Sequence, residues 1–145
     1  MQIYYWCPYL TNIATIKSVI RSAKSLKKYT KLNLGEINEV TILNSSGEWN
    51  FLKNNLFNIN IKNLLPFDFF KFLPKEGLVQ SRLSFLIIFF ANFFPLLFYI
   101  NNKKPTYLIV NLLTLLPIIL SPLLSRHTRI ILRISGLPNL NFFRK

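Results

Sequence analysis

Arg129-Ile-Ile-Leu-Arg-Ile-Ser-Gly-Leu-Pro138 is the stretch from which the fold can be read. Ile130, Ile131, Leu132 and Ile134 make a short apolar run, which predicts a strand over 129–135 buried on both faces. Ser135-Gly136 gives the chain a permissive turn, and Pro138 cannot continue a ladder. Upstream, Tyr107-Leu-Ile-Val110 predicts a second strand, within 107–111, followed by a Leu-, Ile- and Pro-rich helical stretch through Leu124. Strand, helix, strand is a βαβ unit, with parallel strands and a right-handed crossover. In an open parallel sheet the ligand lies beyond the carboxyl ends of the strands. Ser135 and Gly136 therefore fall where a pocket would open.

The pattern extends outward to the N-terminus. Gln2-Ile-Tyr-Tyr-Trp6 reads as a first strand, stopped by Cys7-Pro8. Ile13, Ile16, Ile20, Ala23 and Leu26 fall at helical spacing, with Lys17, Arg21, Lys24 and Lys28 on the other face. That predicts a helix from about Ala14 to Tyr29, capped by Thr11 or Asn12. Strands follow over 39–44 and, by alternation, over 58–63. Between them lies a turn-rich loop, Ser45-Ser-Gly-Glu-Trp49. Residues 64–74 are aromatic and irregular, and Gly77 precedes a long helix over 78–99. Strands alternating with helices define an α/β doubly wound domain with a parallel sheet, expected in the order 3-2-1-4-5.

The 145 residues suffice for one domain with its own core, and 51% hydrophobic content excludes general disorder. Eighteen Lys and Arg against five Asp and Glu give a net charge of +13, which favours anionic partners. Nucleic acid is the weakest of these, because the aromatics sit in apolar runs and are not interleaved with the basic residues. Cys7 is the one cysteine and His127 the one histidine, so no disulfide and no Cys- or His-pair metal site is expected within the chain. The opening residues lack a basic n-region and a cleavage site, so no signal peptide is read. The close, Asn141-Phe-Phe-Arg-Lys145, has neither helix nor cap and reads as a cut inside a longer protein.

Mean hydropathy is +0.32, and the apolar residues are concentrated. Arg82 and Lys103 enclose 20 uncharged residues, Lys104 and Arg126 another 21. A bilayer span needs about 20 apolar residues, so the literal hydropathy reading is a small two-span membrane protein without catalysis. Against it, the second run contains Pro105, Pro117 and Pro122 with Asn111, Thr114 and Ser121, and begins with β-prone Tyr-Leu-Ile-Val. It divides more naturally into a strand and a short helix. The first run is apolar all round, as in a deeply buried or lipid-facing helix.

Three pieces in order, Tyr4-Tyr-Trp-Cys-Pro-Tyr-Leu-Thr-Asn-Ile-Ala-Thr-Ile-Lys17, Ile42-Leu-Asn-Ser-Ser-Gly-Glu-Trp49 and Leu132-Arg-Ile-Ser-Gly-Leu-Pro138, resemble the N-terminal half of bacterial GT-B glycosyltransferases of the family 4 (group 1) kind. The similar region covers essentially the whole chain. Where many such enzymes carry Gly-Gly after the first strand, this chain has Cys7-Pro8-Tyr9. The resemblance implies two Rossmann-like domains, the first binding acceptor and the second a nucleotide-sugar donor, with no metal. It also implies polysaccharide or lipopolysaccharide assembly at the inner face of the cytoplasmic membrane. On that reading the chain is an acceptor-side domain, inactive alone, that holds no cofactor and takes a glycan or lipid-linked acceptor.

Parallel strands would bring the loops after the first, second and fifth strands to one edge. Asn12, Thr15 and Ser135 would then offer neutral hydrogen bonds to sugar hydroxyls. Gly47 and Gly136 would let backbone approach, Glu48 would orient a hydroxyl, and Arg133 would pair with an acceptor phosphate. Turn chemistry explains Ser-Ser-Gly-Glu equally well. Lys17, Arg21, Lys24 and Lys28 are either a solvated helix face or a contact for anionic lipid.

Overall fold

The computed structural model describes residues 1–11, 14–31, 39–56, 59–111 and 114–133. Strand β1 (Gln2–Trp6) leads to helix α1 (Ala14–Lys31) and strand β2 (Glu39–Asn44). A 3₁₀ helix (Glu48–Asn55), strand β3 (Asn60–Asn63) and a single 3₁₀ turn (Phe70–Phe72) follow. Helix α2 (Leu78–Lys103), strand β4 (Tyr107–Asn111), helix α3 (Leu116–Leu120) with its 3₁₀ extension (Ser121–Leu123), and strand β5 (Arg129–Arg133) complete the order. The strands form one sheet in the order β3-β2-β1-β4-β5, and every pairing is parallel. This is the expected α/β, Rossmann-like doubly wound architecture.

The two faces of the sheet are covered by different helices. Ile3 and Tyr5 of β1 and Cys7 just after it, with Val40 and Ile42 of β2, pack with Ile16, Val19 and Ala23 of α1. Tyr4 and Trp6 point the other way, into a cluster with Leu96 and Ile100 of α2 and Leu116 and Leu120 of α3. The period-2 alternation of a strand produces this division directly. Two side-chain bonds pin β1 to both layers: Tyr5 Oη pairs with Ser22 Oγ at 2.8 Å, and Trp6 Nε1 donates to Thr114 Oγ1 at 2.7 Å.

Helix α2 starts after Gly77, whose φ of 87° and ψ of 153° suit glycine. It ends on Lys104 in the left-handed region, whose N–H caps the Ile100 carbonyl at 2.7 Å, with Pro105 next to stop the helix. It thus runs four residues past the expected Tyr99. Its buried stripe is Ser84, Ile88, Asn92, Leu96 and Ile100, one residue every fourth position. At 1.5 Å per residue α2 is about 39 Å long, roughly twice the length of the strands it covers. Its first turns overhang the carboxyl edge, where Ile88 and Phe85 meet Tyr9, Leu10, Phe70 and Leu73 from the loops.

Several expectations need correction. The strand at Arg129–Arg133 is not buried on both faces: Ile131 is 43% and Leu132 48% exposed. It is the edge strand, and an apolar run alone does not distinguish an edge from a centre. Strand β3 begins at Asn60, short of the 58–63 expected, and residue 58 lies outside the described residues. The helical stretch expected to run through Leu124 is one α-turn and a 3₁₀ turn, as its prolines dictate. The 3₁₀ helix at Glu48–Asn55 extends what reads as a short loop.

Candidate functional site

The carboxyl edge brings together the ends of β1, β2, β4 and β5, and the strand order reverses between β1 and β4. That is where a doubly wound sheet opens a crevice.

The loop after β2 is built around Glu48, which is fully buried. Its Oε1 accepts the Ser45 backbone N–H at 3.1 Å and the Ser45 hydroxyl at 2.8 Å. Its Oε2 accepts the Ser46 N–H at 2.7 Å and the Ser46 hydroxyl at 2.8 Å. A carboxylate has about four lone-pair sites, so these four donors saturate it. Burial pushes its pKa up, and the hydrogen bonds partly pull it back. Asn44 completes the loop, with Oδ1 accepting from the N–H groups of Gly47 and Trp49, and Nδ2 donating to Asn50 and Asn63. Gly47 has φ 103°, and a Cβ there would lie 2.2 Å from the Asp68 carboxyl carbon. Only glycine fits. Tyr9 Oη donates to the Glu48 carbonyl at 2.6 Å and Trp49 Nε1 to the Cys7 carbonyl at 3.2 Å, which locks this loop to the one after β1. Gly47 and Glu48 therefore organise the edge, and neither presents a free group to a ligand in this conformation.

The other side of the crevice differs. Tyr107 and Ile109 of β4 pack into the α1-side cluster, so by alternation Asn111 shares that face. Asn111 is 1% exposed, and neither its Nδ2 nor its Oδ1 has a hydrogen-bond partner among the described residues. Its register neighbour on β5 is Arg133. The Arg133 side chain leaves the sheet toward α1, where Nη2 donates to Ser18 Oγ at 2.6 Å and Nη1 to the Ser18 carbonyl at 3.5 Å. Thr15 stands half-buried, one turn before Ser18. The fold therefore draws Arg133, Ser18 and Thr15 toward the same corner, with the amide of Asn111 alongside on the sheet.

Asn12, Ser135 and Gly136 lie outside the described residues. Lys17, Arg21, Lys24 and Lys28 all project from the exposed side of α1, on the sheet face opposite α2. Asn111 and Ser18 were not among the expected site residues. Asn111 had a legible signal, a single amide closing an otherwise apolar strand at the edge where ligands bind. Ser18 had none, because only the packing of α1 shows that it meets Arg133.

The groups at this edge suit binding more than proton transfer. Glu48 is saturated, and His127 sits in the turn before β5, at the opposite edge. Burial, reinforced by the charge of Glu48 and opposed by Arg133, pushes the Cys7 thiol up to about 12. Native protein at pH 8 should therefore leave Ellman's reagent unreacted, and denaturation should release one thiol. Rapid native labelling would show that the loop after β1 opens readily.

Comparison with protein-family models, with characterised proteins and with solved structures returned no match. The class that the structure defines is an α/β Rossmann-like domain with a polar corner at its topological switch point.

Proposed function

We propose that the chain is the acceptor-binding half of a glycosyltransferase, and that the corner formed by Asn111 and Arg133 takes a phosphorylated sugar or a sugar carried on a lipid phosphate. The observation that carries this reading is the unpartnered, buried amide of Asn111 beside Arg133. An orphaned amide in a core costs about 1–3 kcal/mol, and such groups mark function or an absent partner. An amide offers both donor and acceptor, the complement of sugar hydroxyls. Arg133 has five N–H donors and directs two at Ser18, leaving charge and donors for a phosphate. The nucleotide-sugar donor would belong to a second domain, as the sequence resemblance implies.

Ligand-observed NMR on the whole chain, with glucose 1-phosphate, glucose and inorganic phosphate as probes, tests the reading. Glucose 1-phosphate should bind more tightly than either control, and Arg133→Ala should weaken it by about tenfold or more, the loss of one charge-assisted contact. Equal binding of glucose 1-phosphate and phosphate would reduce the corner to an anion site and remove the support for a sugar acceptor.

A further inference from the structure

The side of α2 turned away from the sheet is as apolar as the side that packs on it. Val79, Leu83, Leu86, Phe90, Phe94 and Phe98 are all exposed, the last three at 72%, 62% and 70%. The last four lie two residues out of phase with the buried stripe at 84, 88, 92, 96 and 100, hence about 200° around the helix. Leu115, Ile119 and Leu123 carry the same surface onto the α3 layer. Between the two helices runs an apolar groove of about 580 Å³ whose lining includes Phe89, Phe90 and Ile119, with Arg82 beside them. From Leu78 to Arg133 the sequence holds six Lys and Arg and no Asp or Glu. Exposed cations stand at both ends of α2: Arg82 near its start, and Lys103 and Lys104 at its finish.

We propose that this α2–α3 face seats on an anionic lipid bilayer, with α2 lying in the plane of the interface and the basic side of α1 turned away. The inference stands apart from sugar transfer. An apolar face rimmed by cations, with no acidic residue between Leu78 and Arg133, complements acyl chains under anionic headgroups. Arg82 beside the groove puts a cation next to the apolar floor, as a headgroup and its chain require. A second copy of the chain fits worse, because isologous pairing would set these cations against themselves, and the one carboxylate at the start of α2, Glu76, already has Lys75 beside it in sequence. The buried stripe of α2 is engaged with the sheet, so its outer side alone enters lipid. The basic side of α1 lies a sheet and two helix layers away, each about 10 Å thick, beyond the Debye length of roughly 8 Å at physiological salt.

Flotation of the whole chain with phosphatidylcholine vesicles, with and without phosphatidylglycerol, reads this out. Binding should require the anionic lipid at physiological salt. Phe90→Gln/Phe94→Gln/Phe98→Gln, at exposed positions, should lower the partition coefficient by roughly a hundredfold or more, since three rings stay in water. Arg82→Glu/Lys103→Glu/Lys104→Glu should abolish the preference for phosphatidylglycerol, with circular dichroism confirming the fold of both variants. Charge reversal of Lys17, Arg21, Lys24 and Lys28 should change binding by no more than about threefold. Loss of binding on that reversal, or wild-type flotation of the Phe variant, would overturn the proposal. So would resistance to alkaline carbonate extraction, which marks a spanning helix. A dimer in sedimentation that the Phe variant dissolves, without vesicle binding, would replace the bilayer with a second copy.

Discussion

Glu48→Ala should destabilise the domain by about 3–5 kcal/mol, a large part of a typical domain's margin over unfolding. The carboxylate receives two backbone N–H groups and two hydroxyls, all from Ser45 and Ser46, and is fully buried. Removing it orphans four donors at once, each costing about 1–3 kcal/mol unless water enters the cavity. Glu48→Gln is the sharper variant. Its carbonyl still satisfies one serine, while its amide faces the backbone N–H of the other, whose hydroxyl can turn to accept. It should lose about 2 kcal/mol, since a charged acceptor is replaced and one buried backbone N–H is left unmatched. Urea unfolding of the whole chain at neutral pH measures both. A loss under about 1 kcal/mol for the alanine variant would return Glu48 to the candidate ligand-binding residues, because its hydrogen bonds would then be dispensable.

Asn111→Leu should act in the opposite direction on stability. Leucine branches at Cγ as asparagine does, so the substitution replaces an unpartnered buried amide with an apolar group of similar shape. Removal of that orphan should stabilise the fold by about 1–3 kcal/mol. At this chain length that raises Tm by roughly 3–4 °C per kcal/mol. The same change should abolish discrimination between glucose 1-phosphate and inorganic phosphate, since the hydroxyl-matching group is gone. A gain in stability with a loss of binding is the signature of a residue kept for function. Destabilisation by Asn111→Leu would mean instead that the amide has a structural partner in the folded protein, and the sugar assignment would lose its main support. Asn111→Asp separates charge from shape: an unpaired carboxylate beside Arg133 would compete with a phosphate for the guanidinium and weaken binding of the phosphorylated probe.

Both outcomes turn on features that composition and pattern reveal unequally. Period-2 and period-3.6 alternation set the strands and helices, and a parallel chain of strands and helices admits few orders. The order β3-β2-β1-β4-β5, the long helix after Gly77 and the two-layer core therefore follow from the sequence alone, as does the edge at which a site would form. What lies beyond was decided by packing. Arg129-Ile-Ile-Leu-Arg133 has the composition of a central strand, yet Ile131 and Leu132 are exposed, because burial depends on which elements cover a strand and not on its own residues. Glu48 looked available for a ligand, and in the structure its lone pairs are filled by the two serines that precede it. Asn111 looked like an interruption in an apolar run, and the register with Arg133 makes it the polar group at the switch point. The basic side of α1 and the apolar side of α2 are adjacent readings of one chain. The reversal of the crossover between β3 and β4 sets them on opposite faces of the sheet, so a single flat membrane meets one of them and not the other.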